Sequence, residues 1–290
     1  MHTRNPVVAG QFYPGDRASC VADLQECLAE RSLPESLPAE IVAGIVPHAG
    51  WIFSGALAGM VFSAVRQRHE QVDTFVLFGA AHRYYGGAPA LFDSGLWRTP
   101  LGEVAIDDEL AGAILATRTA VADLRAHGLE HSIEVQVPFV QHLFGGAAIV
   151  PILVPPGEEA VLLGEAVGKL LQKADKKVVC IGSTDLTHYG PGYGFAPMGT
   201  GPDALRWADT VNDQGFIDSA LRLSGESILA GAVESYNACG AGAAAAAVEA
   251  AHTLGKTKGL LLAHTSSGEV MKSKMGRTST ESVGYAAIVF

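Results

Sequence analysis

Charge is scarce in this chain. Only 17% of its 290 residues are Asp, Glu, Lys or Arg, against 48% hydrophobic, and the mean hydropathy is +0.23. A chain this apolar and this weakly charged does not stay disordered; it can build a large buried core. Long apolar runs are missing too. The most extended, Ala241 to Ala251, is alanine-rich and broken by Glu249, well short of the roughly 18–20 apolar residues of a membrane span. Basic clusters are also missing. The densest group, Lys173, Lys176 and Lys177, reads as a solvated helix end, and the formal net charge is −10 with a pI of about 5.4. Nucleic acid and anionic membranes are therefore not expected as partners. The first residues, MHTRNPVVAGQFYPGD, lack the apolar core of a signal peptide, so a cytoplasmic protein is expected. Cys20, Cys27, Cys180 and Cys239 form no CxxC pair, which argues against a disulfide framework. The first three sit in apolar helix or strand patterns and read as packing residues.

What is present is an alternation of short apolar runs and helical patterns. Strands are predicted at 41–46, 74–80, 148–154, 177–183, 259–264 and 283–290. Helices are predicted at 54–68, 107–118, 158–174, 204–223 and 240–254, with a further helical spacing through Ile133, Val137, Val140 and Phe144. Uninterrupted apolar strands between helices imply a sheet covered on both faces. The expectation is one α/β domain over residues 1–290, three layers deep, with a mostly parallel or mixed central sheet covered by helices. Residues 189–201, rich in glycine, read as a long loop, and such loops are often functional.

Three predicted strands end alike. The first runs into Pro47-His48, the second into Ala81-His82, and the fourth into Thr184-Asp185-Leu186-Thr187-His188. In open α/β sheets, ligands bind beyond the carboxyl ends of the strands. One histidine there is usually a hydrogen-bonding residue; three in equivalent places point to a shared site. Cys239 stands just before a helix, where backbone N–H groups favour a thiolate; it also reads as a small residue packed beside Gly240 and Gly242. Glu130 and His131 precede a helical pattern with Ser132 and Glu134, and fit either a capping role or a substrate-facing one. His2, His69, His142 and His252 are expected at the surface. His127 and His264 have no clear place, although His264 ends a strand.

Nine segments, in order along nearly the whole chain, carry a resemblance. They are RNPVVAGQFYP (4–14), VPHAGWIFSG (46–55), FGAAH (78–82), WRTPLGE (97–103), EHSIEVQVPF (130–139), VPILV (150–154), GSTDLTHYG (182–190), NACG (237–240) and SVGYAA (282–287). Together they resemble the Memo family, also called AmmeMemoRadiSam system protein B, whose fold is similar to the class III extradiol dioxygenases (LigB-like). The resemblance implies metal ligands at His48, His82 and Cys239. It implies an acid/base role for His188 with Asp185, and a site role for Glu130 and His131. The dioxygenases hold Fe(II) with two histidines and a carboxylate; a cysteine in the third place is softer and suits Fe(II), Cu(I) or Zn(II). The expected cofactor is thus iron(II), with copper or zinc as alternatives.

The expected function is a metal-dependent redox enzyme acting on a small molecule or peptide. The family name also implies partners in a radical-SAM pathway. Eukaryotic members imply a second reading, a peptide-binding module, although no arginine cluster is present to take a phosphate. A third reading is a metal-free hydrolase with Cys239 as nucleophile and His188 or His131 as base.

Overall fold

The computed structural model describes residues 2–290. Its central sheet has nine strands: β1 (Ala43–Val46), β2 (Thr74–Ala80), β3 (Ala90–Leu91), β4 (Val121–Ala122), β5 (Ala148–Val154), β6 (Val178–Ser183), β7 (His188–Tyr189), β8 (Leu260–Ser266) and β9 (Ser282–Val289). They lie in the order β7-β9-β1-β6-β2-β5-β3-β4, with β8 on the outside of β9. The middle four, β1, β6, β2 and β5, are parallel. β9 joins β1 antiparallel, and β3 joins β5 antiparallel. The expected three-layer α/β fold with a mixed sheet is what forms. Every residue of β1, β2 and β6 is buried, as expected of parallel strands covered on both faces.

Helices α1 (Arg17–Ala29), α2 (Trp51–Arg68) and α3 (Val137–Leu143) cover one face. Helices α4 (Glu158–Leu171) and α5 (Ala241–Thr253) cover the other. The alanine run has a packing cause. Residues Ala241–Ala251 of α5 are all buried, because the helix is held between the sheet and α4. A Cβ on Gly182 of β6 would come within 2.7 Å of the Ala243 carbonyl, and one on Gly164 of α4 within 2.8 Å of Glu249 Cβ. Small residues on three elements let the layers approach.

Several boundaries differ from the sequence expectation. α2 starts at Trp51 instead of residue 54, because extended Gly50 precedes it and Trp51 N–H bonds to the Phe12 carbonyl at 2.8 Å. The long helix expected at 204–223 is two helices, Pro202–Trp207 and Asp213–Leu221, joined by a π-turn at Ala208–Asn212. The wider turn lets Asn212 and Asp213 both face inward, to Thr187 and His264. A helix at Gly225–Ser235, capped by Ser224, was not foreseen. Neither was a small sheet of Thr3–Arg4, Leu96–Thr99 and Gly102–Ala105. His69 is buried, not at the surface; its Nε2 lies 2.7 Å from the Ile41 carbonyl. Ser132 does not cap a helix: it is buried, and its hydroxyl donates to the Ala80 carbonyl. Among the described residues, no helix is long and apolar enough to cross a membrane.

Candidate metal centre

Register brings the strand ends together. Val46 pairs with Ser183, and Phe78 with Gly182, so the tails carrying His48, Asp185 and His82 emerge side by side. Cys239 arrives from the turn before α5. Its N–H donates to the Asp185 carbonyl (3.2 Å), and Gly240 N–H donates to Thr184 Oγ1 (2.9 Å). A side chain on Gly240 would strike the Ser183 carbonyl, so glycine is what lets this turn lie on the end of β6. One ligand atom each from His48, His82 and Cys239 then lie within 4.8 Å of one another.

Hydrogen bonds fix which nitrogen each imidazole presents. Ser183 Oγ donates its single proton to the Ser132 carbonyl at 2.8 Å. It therefore accepts from His48 Nδ1, 3.0 Å away, and from Gln136 Nε2. His82 Nδ1 faces Glu130 Oε1 at 3.0 Å, and an ionised carboxylate only accepts. Both rings thus carry their proton on Nδ1 and leave Nε2 as a free lone pair, the arrangement that metal-ligating histidines need. Cys239 Sγ lies 3.3 Å from His48 Nε2, and its thiol donates to that lone pair.

Electrostatics follow from burial and these partners. Burial opposes a charge on Glu130. His82 and the N–H groups of His82, His131 and Ser132 overcome it and hold the carboxyl below the usual range. Burial pulls His82 down as well, but the Glu130 hydrogen bond and charge leave it raised. Burial, then the neighbouring His82 and His131, push His48 well below its ordinary value. Burial and the Asp185 charge push the Cys239 thiol up. The thiolate expected at a helix start is therefore not favoured by the protein alone; a cation among the three donors would supply the missing stabilisation. Two Nε2 atoms and one thiol, on buried His48, exposed His82 and half-buried Cys239, fit a borderline or soft metal ion such as Fe(II), Cu(I) or Zn(II).

The remaining predicted residues flank this set on two sides. On the His82 side, His131 stacks on His82 (centroids 5.1 Å, planes 8° apart) and meets Phe12 edge-on at 4.9 Å. On the Cys239 side, Asp185 and His188 form a second close group with Cys239. Asp185 Oδ1 accepts from His48 N–H at 2.7 Å, and its Oδ2 is 4.0 Å from His48 Nε2. Burial raises Asp185 and lowers His188. His188 Nε2 is buried without a hydrogen-bond partner among the described residues. His264 stays out of the centre, bonded to Asp213 at 2.9 Å.

Sequence reasoning missed the supports. Ser183 and Gln136 orient His48. Glu134 is no solvated helix-end charge; it is buried against Arg4 at 2.9 Å and accepts from Val7 N–H, Val8 N–H and the Tyr13 hydroxyl. Arg4 in turn donates to the carbonyls of His127 and Glu130 and lies 4.2 Å over the Trp97 ring. A polar residue closing an apolar strand (Ser183) and polar residues inside an apolar stretch (Glu134, Gln136) were the available signals.

An α/β sheet that gathers two Nε2 lone pairs and a thiol at the carboxyl ends of parallel strands defines a candidate transition-metal protein. The sequence comparisons narrow the class. A family model described as "Memo-like protein" matches residues 4–289. The chain is 37% identical over 302 residues to a MEMO1 family protein of Thermococcus onnurineus, covering 99% of each chain. It is 38% identical to a relative of the same description in Thermococcus kodakarensis, again covering 99% of each. One from Methanopyrus kandleri is 35% identical, covering 99% of this chain and 98% of the relative. This chain belongs to the Memo family.

Proposed function

We propose that this protein is a metal-dependent redox enzyme, with His48, His82 and Cys239 holding iron(II) or, alternatively, copper; zinc fits the same donors but would carry no electron transfer. One observation carries the reading: both histidines have Nδ1 tied to an acceptor, which keeps Nε2 for a cation, and the Cys239 thiol stands in the same group. When bound, a redox-active metal supplies electron transfer and an open position for oxygen or substrate. The resemblance to class III extradiol dioxygenases supports oxygen chemistry, and the substrate is a small molecule or a peptide. Four unpaired cysteines suit a reducing, cytoplasmic setting.

The chain's own groups divide the remaining work. Glu130 and Ser183 fix the two imidazoles. Asp185 holds the His48 backbone and places a second carboxylate oxygen near Cys239. His188 presents an unpartnered Nε2 for moving a proton to or from substrate. His131, stacked on His82, lines the substrate side. Elemental analysis of protein purified without oxygen, set against a His48→Ala/Cys239→Ala double variant, tests the proposal. About one metal per chain in the wild type and none in the variant is the expected result. No metal in either, after attempted loading, overturns it.

One observation favours a second reading, a cysteine hydrolase: Cys239 Sγ and His48 Nε2 are within hydrogen-bond reach at 3.3 Å. The base would then be His48 rather than His188 or His131. Burial weighs against it, raising the thiol and lowering the imidazole so that the pair rests neutral. Alkylation of Cys239 in metal-free protein at neutral pH separates the readings: rapid labelling would favour the hydrolase.

A further inference from the structure

The strand ends and the turn before α5 bring five candidate donors together, and they do not make one set. His48, His82 and Cys239 form one group whose ligand atoms lie within 4.8 Å of one another; Asp185, His188 and Cys239 form another. Zinc binds nitrogen at about 2.0–2.1 Å and sulfur at about 2.3 Å, so donors on one such ion stand at most about 4.6 Å apart, even on opposite sides of it. The five side chains do not meet that limit as a single group, and Cys239 belongs to both. In a third group, His82, Glu130 and His131, the carboxylate is already taken. Glu130 accepts from His82 Nδ1 and three backbone N–H groups.

The Asp185–His188 group is fixed in place but unsatisfied. Asp185 Oδ1 accepts from His48 N–H at 2.7 Å, whereas Oδ2 makes no hydrogen bond among the described residues and stands 4.0 Å from His48 Nε2. His188 Nε2 is buried with no partner among the described residues, a state that calls for a ligand. The backbone around both is held independently. Leu186 N–H donates to the Gly284 carbonyl at 2.8 Å, Gly284 N–H to the Thr187 carbonyl at 3.0 Å, and Thr187 N–H to Asp213 Oδ1 at 3.0 Å. His188 then pairs with Val283 of β9. Cys239 is tied to the same stretch by its N–H on the Asp185 carbonyl. One oxygen, one nitrogen and one sulfur thus converge from fixed backbone, as a preorganised cation site requires.

We infer that Asp185, His188 and Cys239 form a second cation site, and that the Cys239 thiolate bridges it to the ion held with His48 and His82. The inference rests on the proposed metal centre for that first ion. A thiolate sulfur has lone pairs for two cations. Carboxylate, imidazole and thiolate together suit a divalent ion such as Zn(II), Fe(II) or Co(II), whereas Cu(I) favours the softer His48–His82–Cys239 group. Paired sites hold their ions about 3.5–4 Å apart; the thiolate between them, with Asp185 and Glu130, offsets the repulsion. The doubly loaded protein leaves His188 no free nitrogen, so the second ion competes with proton transfer by that residue.

The test is an oxygen-free titration of the metal-free full chain with Co(II), read by dialysis with elemental analysis and by electron paramagnetic resonance. Two ions per chain are expected. The high-spin signal is expected to grow with the first and fall with the second, because two Co(II) ions that share a thiolate couple antiferromagnetically. His188→Ala and Asp185→Asn are each expected to take one ion and to keep the uncoupled signal. Asp185→Asn retains an oxygen for His48 N–H, so its effect reports the lost carboxylate and not a lost backbone bond. Saturation of the wild type at one ion, two ions whose signals simply add, or two coupled ions in either variant overturns the shared site and leaves the proposed centre standing. No ion in the wild type overturns the proposed function and the shared site together.

Discussion

The two sides of the centre contrast in how much of their hydrogen bonding is already made. On the His82 side, Glu130 accepts from one imidazole and three backbone N–H groups, its own carbonyl is held by Arg4, and Arg4 is paired with Glu134. The first residues of the chain are thereby fastened to residues 127–134. On the Cys239 side, His188 Nε2 has no partner, one Asp185 oxygen stands 4.0 Å from the nearest imidazole nitrogen, and the adjoining segment turns through four glycines of positive φ between residues 190 and 201. One side has its supporting hydrogen bonds made and leaves only His82 Nε2 open; the other holds several groups that a ligand completes. Preorganised ligands and unpaired substrate-facing groups are what a catalytic site requires of its two halves.

The largest blow to this contrast falls on the completed side. Arg4→Ala leaves Glu134 buried without its counter-ion, with only the Val7 and Val8 N–H groups and the Tyr13 hydroxyl to hold it, and is expected to cost about 3 kcal/mol of stability, read by denaturant unfolding. A cost below about 1 kcal/mol would mean that this side is no better fixed than the other. Glu130→Gln and Ser183→Ala each loosen one imidazole and are expected to lower metal affinity by about 10- to 100-fold, measured by competition with a chromogenic chelator. Equal affinity in all three proteins would show that the tautomers are not held as described.

A subtler effect concerns the link behind His188. The Asp213 carboxylate joins His264 to the Thr187 N–H. Burial lowers His264, but Asp213, with Asp209 and Glu269 facing the same ring, leaves it raised above its usual 6.5. A raised histidine gives stabilisation that is fully present below about 6.5 and lost as pH rises through the folded value. His264→Gln is expected to remove that decline from the melting temperature of metal-free protein above pH 6.5; an unchanged profile would show that the pair contributes nothing. The smallest change is expected at His188 itself. His188→Ala deletes a nitrogen that lacks a partner, so it should cost about 1 kcal/mol or less while metal is retained. A loss comparable to that of Arg4→Ala would erase the contrast.

The sheet and the histidine-bearing strand ends were legible because parallel strands buried on both faces leave unbroken apolar runs, and histidines just beyond them stand out. The order of motifs then named the family. What was not legible lay in side chains whose partners are distant along the chain. Glu134 looks like a surface charge until Arg4, 130 residues earlier in sequence, is brought against it. The π-turn was hidden because Ala204 to Leu223 has helical periodicity throughout, and the inward turn of Asn212 and Asp213 is a tertiary demand. Cys239 stands just before α5 as expected, but burial beside Asp185 outweighs the helix start and pushes its thiol up.

The centre also sets an order on synthesis. His48 and Cys239 meet across 191 residues of chain, a stretch that takes roughly 10–40 s to translate at ordinary ribosomal speeds. Arg4 emerges well before Glu134 and waits for it. A chain not yet translated past residue 239 therefore holds the two imidazoles without the Cys239 thiol, and the donor set closes only once that residue has been made. Any metal that the proposed centre takes would then bind only after Cys239 has joined the two histidines.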